Sequence, residues 1–254
     1  MDLFLSLSEL TLAFLVLCAV FAGVVKGAVG FAMPLILMSG LSAVVPVPVA
    51  LAGLMVPSLV MNLWQALRGG VGALSLTART HWRLVALVLV FIALSGQLVL
   101  AVPERILSLM IGVPIALYAT SQLLGWRLRI APAYRRRAEL GTGVIAGFFG
   151  GFSGIWGPPI VAYLVALDTP KAEQVRTQGL LYGLASCALV LTHLRTGVAN
   201  VETLTFSAML LVPAAAGMAM GLWLQDRMDQ DRFRQATLVF LLLAGLNLVR
   251  RGIM

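Results

Sequence analysis

The chain has 254 residues, of which 60% are hydrophobic and only 11% charged, with a formal net charge of +8 and a mean hydropathy of +0.98. A soluble domain carries about a quarter charged residues because its surface faces water, so a soluble enzyme is excluded. The arginines behind the positive charge sit in short segments between apolar stretches, which reads as membrane topology and lipid headgroups and sets nucleic acid aside as a partner.

The apolar residues gather in stretches of roughly 18 or more, the length that crosses about 30 Å of hydrocarbon. Backbone in lipid must satisfy its own hydrogen bonds, and no alternating strands suggest a barrel, so these stretches predict helices. In chain order they cover 10–26, 44–67, 84–101, 106–125, 141–167, 177–194, 204–224 and 234–249. The expectation is an all-α integral membrane protein of about eight transmembrane helices. The first stretch is flanked by Asp2 and Glu9 and lacks a small-residue cleavage site, so it reads as a retained helix and not a signal peptide.

The longest polar interruption, 126–140, carries Arg127, Arg129, Arg135, Arg136 and Arg137. It predicts a basic cytoplasmic linker between an N-terminal transmembrane repeat, 1–125, and a C-terminal one, 141–254. The halves share a pattern: Ala22-Gly23-x3-Gly27-x2-Gly30-x3-Pro34 aligns with Ala146-Gly147-x3-Gly151-x2-Gly154-x3-Pro158. After a shift of three residues, Arg68-Gly69-Gly70 aligns with Arg195-Thr196-Gly197, and Glu104-Arg105 with Asp231-Arg232. Three matches in order favour an internal duplication, a common architecture of secondary transporters. Eight spans put both termini in the cytoplasm, and the arginines of 68–83 and 126–137 agree with that under the positive-inside rule. A re-entrant hairpin over 141–167 would instead place the C-terminus outside.

Within each half the first helix is expected to break. The segment 141–170 meets Gly150, Gly151, Gly154, Gly157, Pro158 and Pro159 within ten residues. Consecutive prolines remove two backbone donors and exclude a continuous helix. Irregular backbone at membrane depth is tolerated only where it is buried in protein or lines a wet cavity. A half-helix beginning at Pro158 turns the positive end of its dipole toward that cavity, an arrangement suited to an anion. Gly27, Gly30 and Pro34 supply the equivalent break in the first half. Glycine-mediated helix packing is the competing explanation for any one of these glycines.

Charged and polar groups in the apolar stretches complete the candidate site, since burial in lipid is costly and usually functional. Lys26 directly precedes the first glycine cluster. Asn62 and Gln65 share one face of the second stretch. Arg176 opens the sixth, where a guanidinium fork can grip a sulfonate or carboxylate, and Gln178 can donate to an oxyanion without adding charge. Trp156 lies inside the second break, where it can line or gate a path, while Trp82, Trp126 and Trp223 read as interfacial residues. His193 is weighed as a titrating group in a proton-coupled cycle. Cys18 and Cys187 read as packing residues, and two distant histidines offer no metal cluster. Neither a P-loop nor a nucleophile elbow is present, so the expectation is a non-enzymatic carrier without a cofactor, driven by a gradient or a coupled ion.

These features resemble the sulfite exporter TauE/SafE family of membrane transporters. The resemblance rests on Lys26-Gly27-Ala28-Val29-Gly30-Phe31-Ala32-Met33-Pro34, on its repeat from Gly147 through Gly157-Pro158-Pro159, and on the duplicated halves. It implies an inner-membrane permease for sulfite, sulfoacetate or another organosulfonate in a bacterial cell. The partners expected are the small anion, the lipid bilayer, a coupling proton or ion, and a second copy of the chain. Competing readings are a permease for a non-sulfur anion such as a carboxylate, and a membrane accessory or scaffold subunit with no substrate path.

Overall fold

A computed structural model describes residues 8–95, 104–126, 129–153, 156–196 and 199–253. All regular structure among the described residues is helical, and the chain divides into two compact units. The first joins residues 1–68 to 178–229, and the second joins 69–177 to 230–254.

In the first unit, α1 (Glu9–Val29) starts where the Ser8 side chain accepts from the Thr11 backbone N–H, satisfying one of the orphan donors of a helix start. It ends at Gly30, whose φ of +90° only glycine adopts without cost. Two residues later Ala32 is also left-handed, at φ +72°, and α2 (Met33–Leu41) begins with Pro34 in its first turn. The first predicted break is therefore present, made of two left-handed residues in quick succession. A β-branched side chain resists that conformation. Ala32→Val should lower the thermal midpoint in detergent, at a cost of about 1–3 kcal/mol.

Next come α3 (Val47–Gly53) and α4 (Met55–Leu67). Ser207 closes the gap between them: its hydroxyl accepts from Val56 N–H at 3.0 Å and donates to the Gly53 carbonyl at 2.9 Å. Residues 48–67 are long and apolar enough to cross a membrane as one span. The unit is completed by most of α10 (Lys171–Thr196) and by α11 (Val201–Arg227), which opens with an Asn200–Thr203 capping box.

Small residues decide how α1 and α11 pack. Gly23 and Gly27 on α1 face Gly217 and Gly221 on α11 so closely that a Cβ at any of the four would strike the partner's backbone. Without a hydrophobic drive between helices in lipid, this close approach is what gives van der Waals attraction its strength. Around it lies a core of Leu15, Met33, Leu37, Met61, Phe206 and Met218. Outside, Leu10, Leu17 and Phe21 stand exposed on α1, as a lipid-facing surface requires.

The second unit contains α5 (Gly70–Thr80), α6 (Trp82–Ser95), α7 (Glu104–Leu123), α8 (Arg135–Ser153), α9 (Gly157–Ala166), the first turns of α10, and α12 (Gln230–Ile253). Its main pairings are α6 with α8 and α7 with α12. Gly143 and Gly147 seat α8 on Leu87, Val88 and Phe91, while Gly112 and Gly245 bring α7 and α12 together. The second break falls between Ser153 and Gly157.

Two expectations change in detail. The basic linker is not loop throughout, because α8 already begins at Arg135. Helix α5 occupies a stretch read only as a loop, and it meets α6 at a 72° bend. Among the described residues, four helices are long and apolar enough to cross a membrane, or five if the bent pair is one span. These helices and their exposed apolar faces describe a multi-pass membrane protein.

A candidate anion site around Lys26

Lys26 lies in the last turn of α1 and is 1% exposed. Its ammonium donates to Asn62 Oδ1 at 2.6 Å and to the Gly30 carbonyl at 3.3 Å. It also sits 5.7 Å from the centre of the Tyr182 ring, within reach of a cation–π attraction. Among the described residues no carboxylate pairs with it. An ammonium taken out of water costs several kcal/mol, which neutral dipoles offset only in part.

The neighbouring groups come from two helix faces. Ser58, Asn62 and Gln65 recur at helical spacing on α4, and Gln178, Tyr182 and Ser186 recur every four residues on α10. All six are buried. Gly179 lets the helices meet, since a Cβ there would collide with Gln65 and the Asn62 carbonyl. Asn62 uses both ends of its amide, accepting from Lys26 and donating to Ser186 Oγ at 3.1 Å. Gln65 donates to the Lys26 carbonyl at 3.0 Å. What remains is hydrogen-bonding capacity without partners: both amide atoms of Gln178, Gln65 Oε1 and Ser58 Oγ. Buried polar atoms are nearly always satisfied, so each such atom needs an explanation. Of these atoms Gln178 Nε2 and the Ser58 hydroxyl can donate to an oxyanion, while the two amide oxygens only accept.

Of the residues expected to bind substrate, the first unit thus gathers Lys26, Asn62, Gln65 and Gln178. Gly30 joins them through its carbonyl. Gly27 instead packs against α11, and Pro34 is exposed at the start of α2. The second unit holds the others. Trp156 precedes α9 and rests against Gly150 of α8; Gly157, Pro158 and Pro159 form the first turn of α9, with Pro158 buried. The two prolines leave that turn with two fewer free N–H groups than an ordinary helix start, which weakens its claim as an anion site. Arg176 donates through Nε to Thr77 Oγ1 at 3.0 Å. Gly151 lies in the last turn of α8, and Gly154 lies outside the described residues. Tyr182 and Ser186 had not been singled out, although their spacing from Gln178 was readable as one helix face. The second unit also buries a cation, Arg234, which donates to Gln122 Oε1 at 2.6 Å.

A family model described as sulfite exporter TauE/SafE matches residues 15–248. The chain belongs to the sulfite exporter TauE/SafE family. Membership covers both units, and it makes the chain one of a family of membrane transporters of sulfur-containing anions. Searches of curated proteins and of solved structures gave no match.

Proposed function

We propose that this chain is a secondary transporter of sulfite, sulfoacetate or another small organosulfonate, embedded in a bacterial inner membrane, and that Lys26 with Asn62, Gln65, Gln178 and Tyr182 holds the anion. The observation that carries this reading is the buried ammonium that, among the described residues, has neutral partners only, in a unit whose buried Gln178 amide and Ser58 hydroxyl have no partner. A charged site closed by an internal acid would repel an anion; this one lacks only the negative charge.

The proposal includes eight spans in two related halves. Supporting it, α1 packs on α11 within one unit, and α8, the counterpart of α1, packs on α6, the counterpart of α11, within the other. Single contacts repeat as well: Gly23 meets Met218, while their counterparts Gly147 and Phe91 meet each other. Exchange of equivalent helices between halves is what a duplicated transporter predicts.

Purified protein in liposomes should take up labelled sulfite and sulfoacetate and leave acetate outside. Equal uptake of acetate would remove the sulfur assignment, and no uptake of any anion would remove the transport reading. A second prediction uses the counter-ion argument. Asn62→Asp places a carboxylate 2.6 Å from the ammonium and should keep the protein folded, with a thermal midpoint no lower than wild type. The same change should abolish uptake, because the internal acid occupies the substrate's electrostatic role. An Asn62→Asp protein that transports normally would contradict it.

A further inference from the structure

The bend between α5 and α6 holds a second ionisable pair that the anion site does not use. His81 occupies the bend itself, between Thr80 and Trp82, and is 1% exposed. Its Nε2 lies 3.1 Å from Glu173 Oε1 on the first turn of α10, and Glu173 remains 33% exposed. One turn further on, Arg176 donates to Thr77, one turn before His81. The first turn of α10 therefore grips the end of α5 at two points.

We propose that His81 and Glu173 form the proton-binding site that couples anion transport to a pH gradient. The inference rests on the transport reading above. Ionised Glu173 can only accept, so Nε2 carries the ring hydrogen and Nδ1 is the bare nitrogen of the neutral imidazole. Nδ1 is buried and has no partner. A proton arriving there creates a charged N–H in a place with no acceptor, which is costly. The protonated pair is relieved if the bend changes so that Nδ1 reaches water or a carbonyl, and a change at a 72° junction between helices is a change of conformation. Proton binding and helix geometry are thus linked through one ring.

The His81 hydrogen bond, opposed by desolvation and aided by Arg135 of α8 and Arg176 of α10, holds the Glu173 carboxyl below the usual carboxylate range. Arg79 and Arg83 flank His81 in the chain. On α8, packed against α6, Glu139 is buried within electrostatic reach of Tyr163. Histidine is the side chain whose ordinary titration falls in the physiological range. His193, the group favoured from sequence, lies in α10 beyond this pair.

The test compares wild type, His81→Gln and Glu173→Gln in liposomes by two assays. Counterflow of labelled sulfite needs no net proton movement; accumulation under an imposed pH gradient does. A gradient of one pH unit supports about tenfold accumulation for each coupled proton. Both variants should retain counterflow and lose gradient-driven accumulation: His81→Gln keeps a donor toward Glu173 but takes up no proton, and Glu173→Gln removes the carboxylate that compensates a charged imidazole. Wild-type transport indifferent to the gradient, or His81→Gln accumulating like wild type, would overturn the proposal and leave the transport reading intact. Absence of sulfite counterflow in wild type would instead remove that reading, and the proposal with it. Should both variants fail to fold, imidazole resonances of a His193→Asn protein decide. The titration midpoint of the single remaining histidine is expected to move when sulfite is added, and an unmoved midpoint would refute the coupling.

Discussion

Replacing Lys26 by methionine is expected to lower sulfite uptake by about a hundredfold or more, without loss of folded protein. Removing one partner of a buried charge pair costs about 3–5 kcal/mol, and 1.4 kcal/mol is a factor of ten. The bound anion would face amides alone, and neutral hydrogen bonds contribute about 1 kcal/mol each. Stability follows the opposite logic. Among the described residues no acid pairs with Lys26 to be left orphaned, so the empty protein sheds an uncompensated buried cation. It loses a donor to Asn62, whose other hydrogen bond to Ser186 remains. These effects oppose one another, and a thermal midpoint near that of wild type is expected. Uptake into liposomes and the melting curve in detergent separate the two consequences; an inactive protein that is also unfolded would return Lys26 to a purely structural role.

The largest expected effect on stability belongs to Gly217→Val. A Cβ at that position lands on the Val20 carbonyl, and Val20 Cα and C stand just behind it. Overpacking usually costs about 1–3 kcal/mol because side chains yield. Here the obstacle is helical backbone, so α1 and α11 must separate along a crossing that also seats Gly23, Gly27 and Gly221. A loss above about 3 kcal/mol is expected, enough to consume much of the 5–15 kcal/mol by which folded domains are stable. Gly141→Ala on α8 is the matched control. Its Cβ would meet nothing within 4 Å, and a helical glycine exchanged for alanine gains about 0.5–1 kcal/mol. Chromatographic retention of monodisperse protein after heating should place the two variants on opposite sides of wild type.

How far the sequence carried this account depends on the physics behind each residue. Helical membrane class was legible because lipid leaves the backbone few alternatives. The break after Val29 was legible because Gly30 sits ahead of a proline, though the left-handed Ala32 beside it was not, since alanine carries no signal for that conformation. Lys26, Asn62, Gln65 and Gln178 stood out because each is expensive to bury in an apolar stretch. Gly27 was misassigned in emphasis, as a glycine needed for close packing and one that opens a cavity look alike in sequence. Partner identity decides between them, and α11 lies far along the chain. His81 was missed for the same reason. It reads as a loop histidine until Glu173 is brought to it, and the bend that buries it follows a helix, Gly70–Thr80, that is too short to register as a span. Arg176 stood out as a charge opening an apolar stretch, and its Nε donates to Thr77.

The interleaving of the chain was the least legible feature. The linker at 126–140 marks two halves of similar length, and each compact unit draws on both of them. Composition marks where a chain pauses between apolar stretches; it carries no record of which helices later share a glycine crossing.

Equilibrium binding of sulfite to the purified protein, measured calorimetrically in detergent for wild type and Lys26→Met, tests the central claim most directly. Saturable binding by wild type, and none by the variant at the same concentrations, is expected. Binding of equal affinity to both proteins would show that the anion sits elsewhere and contradict the site built around Lys26.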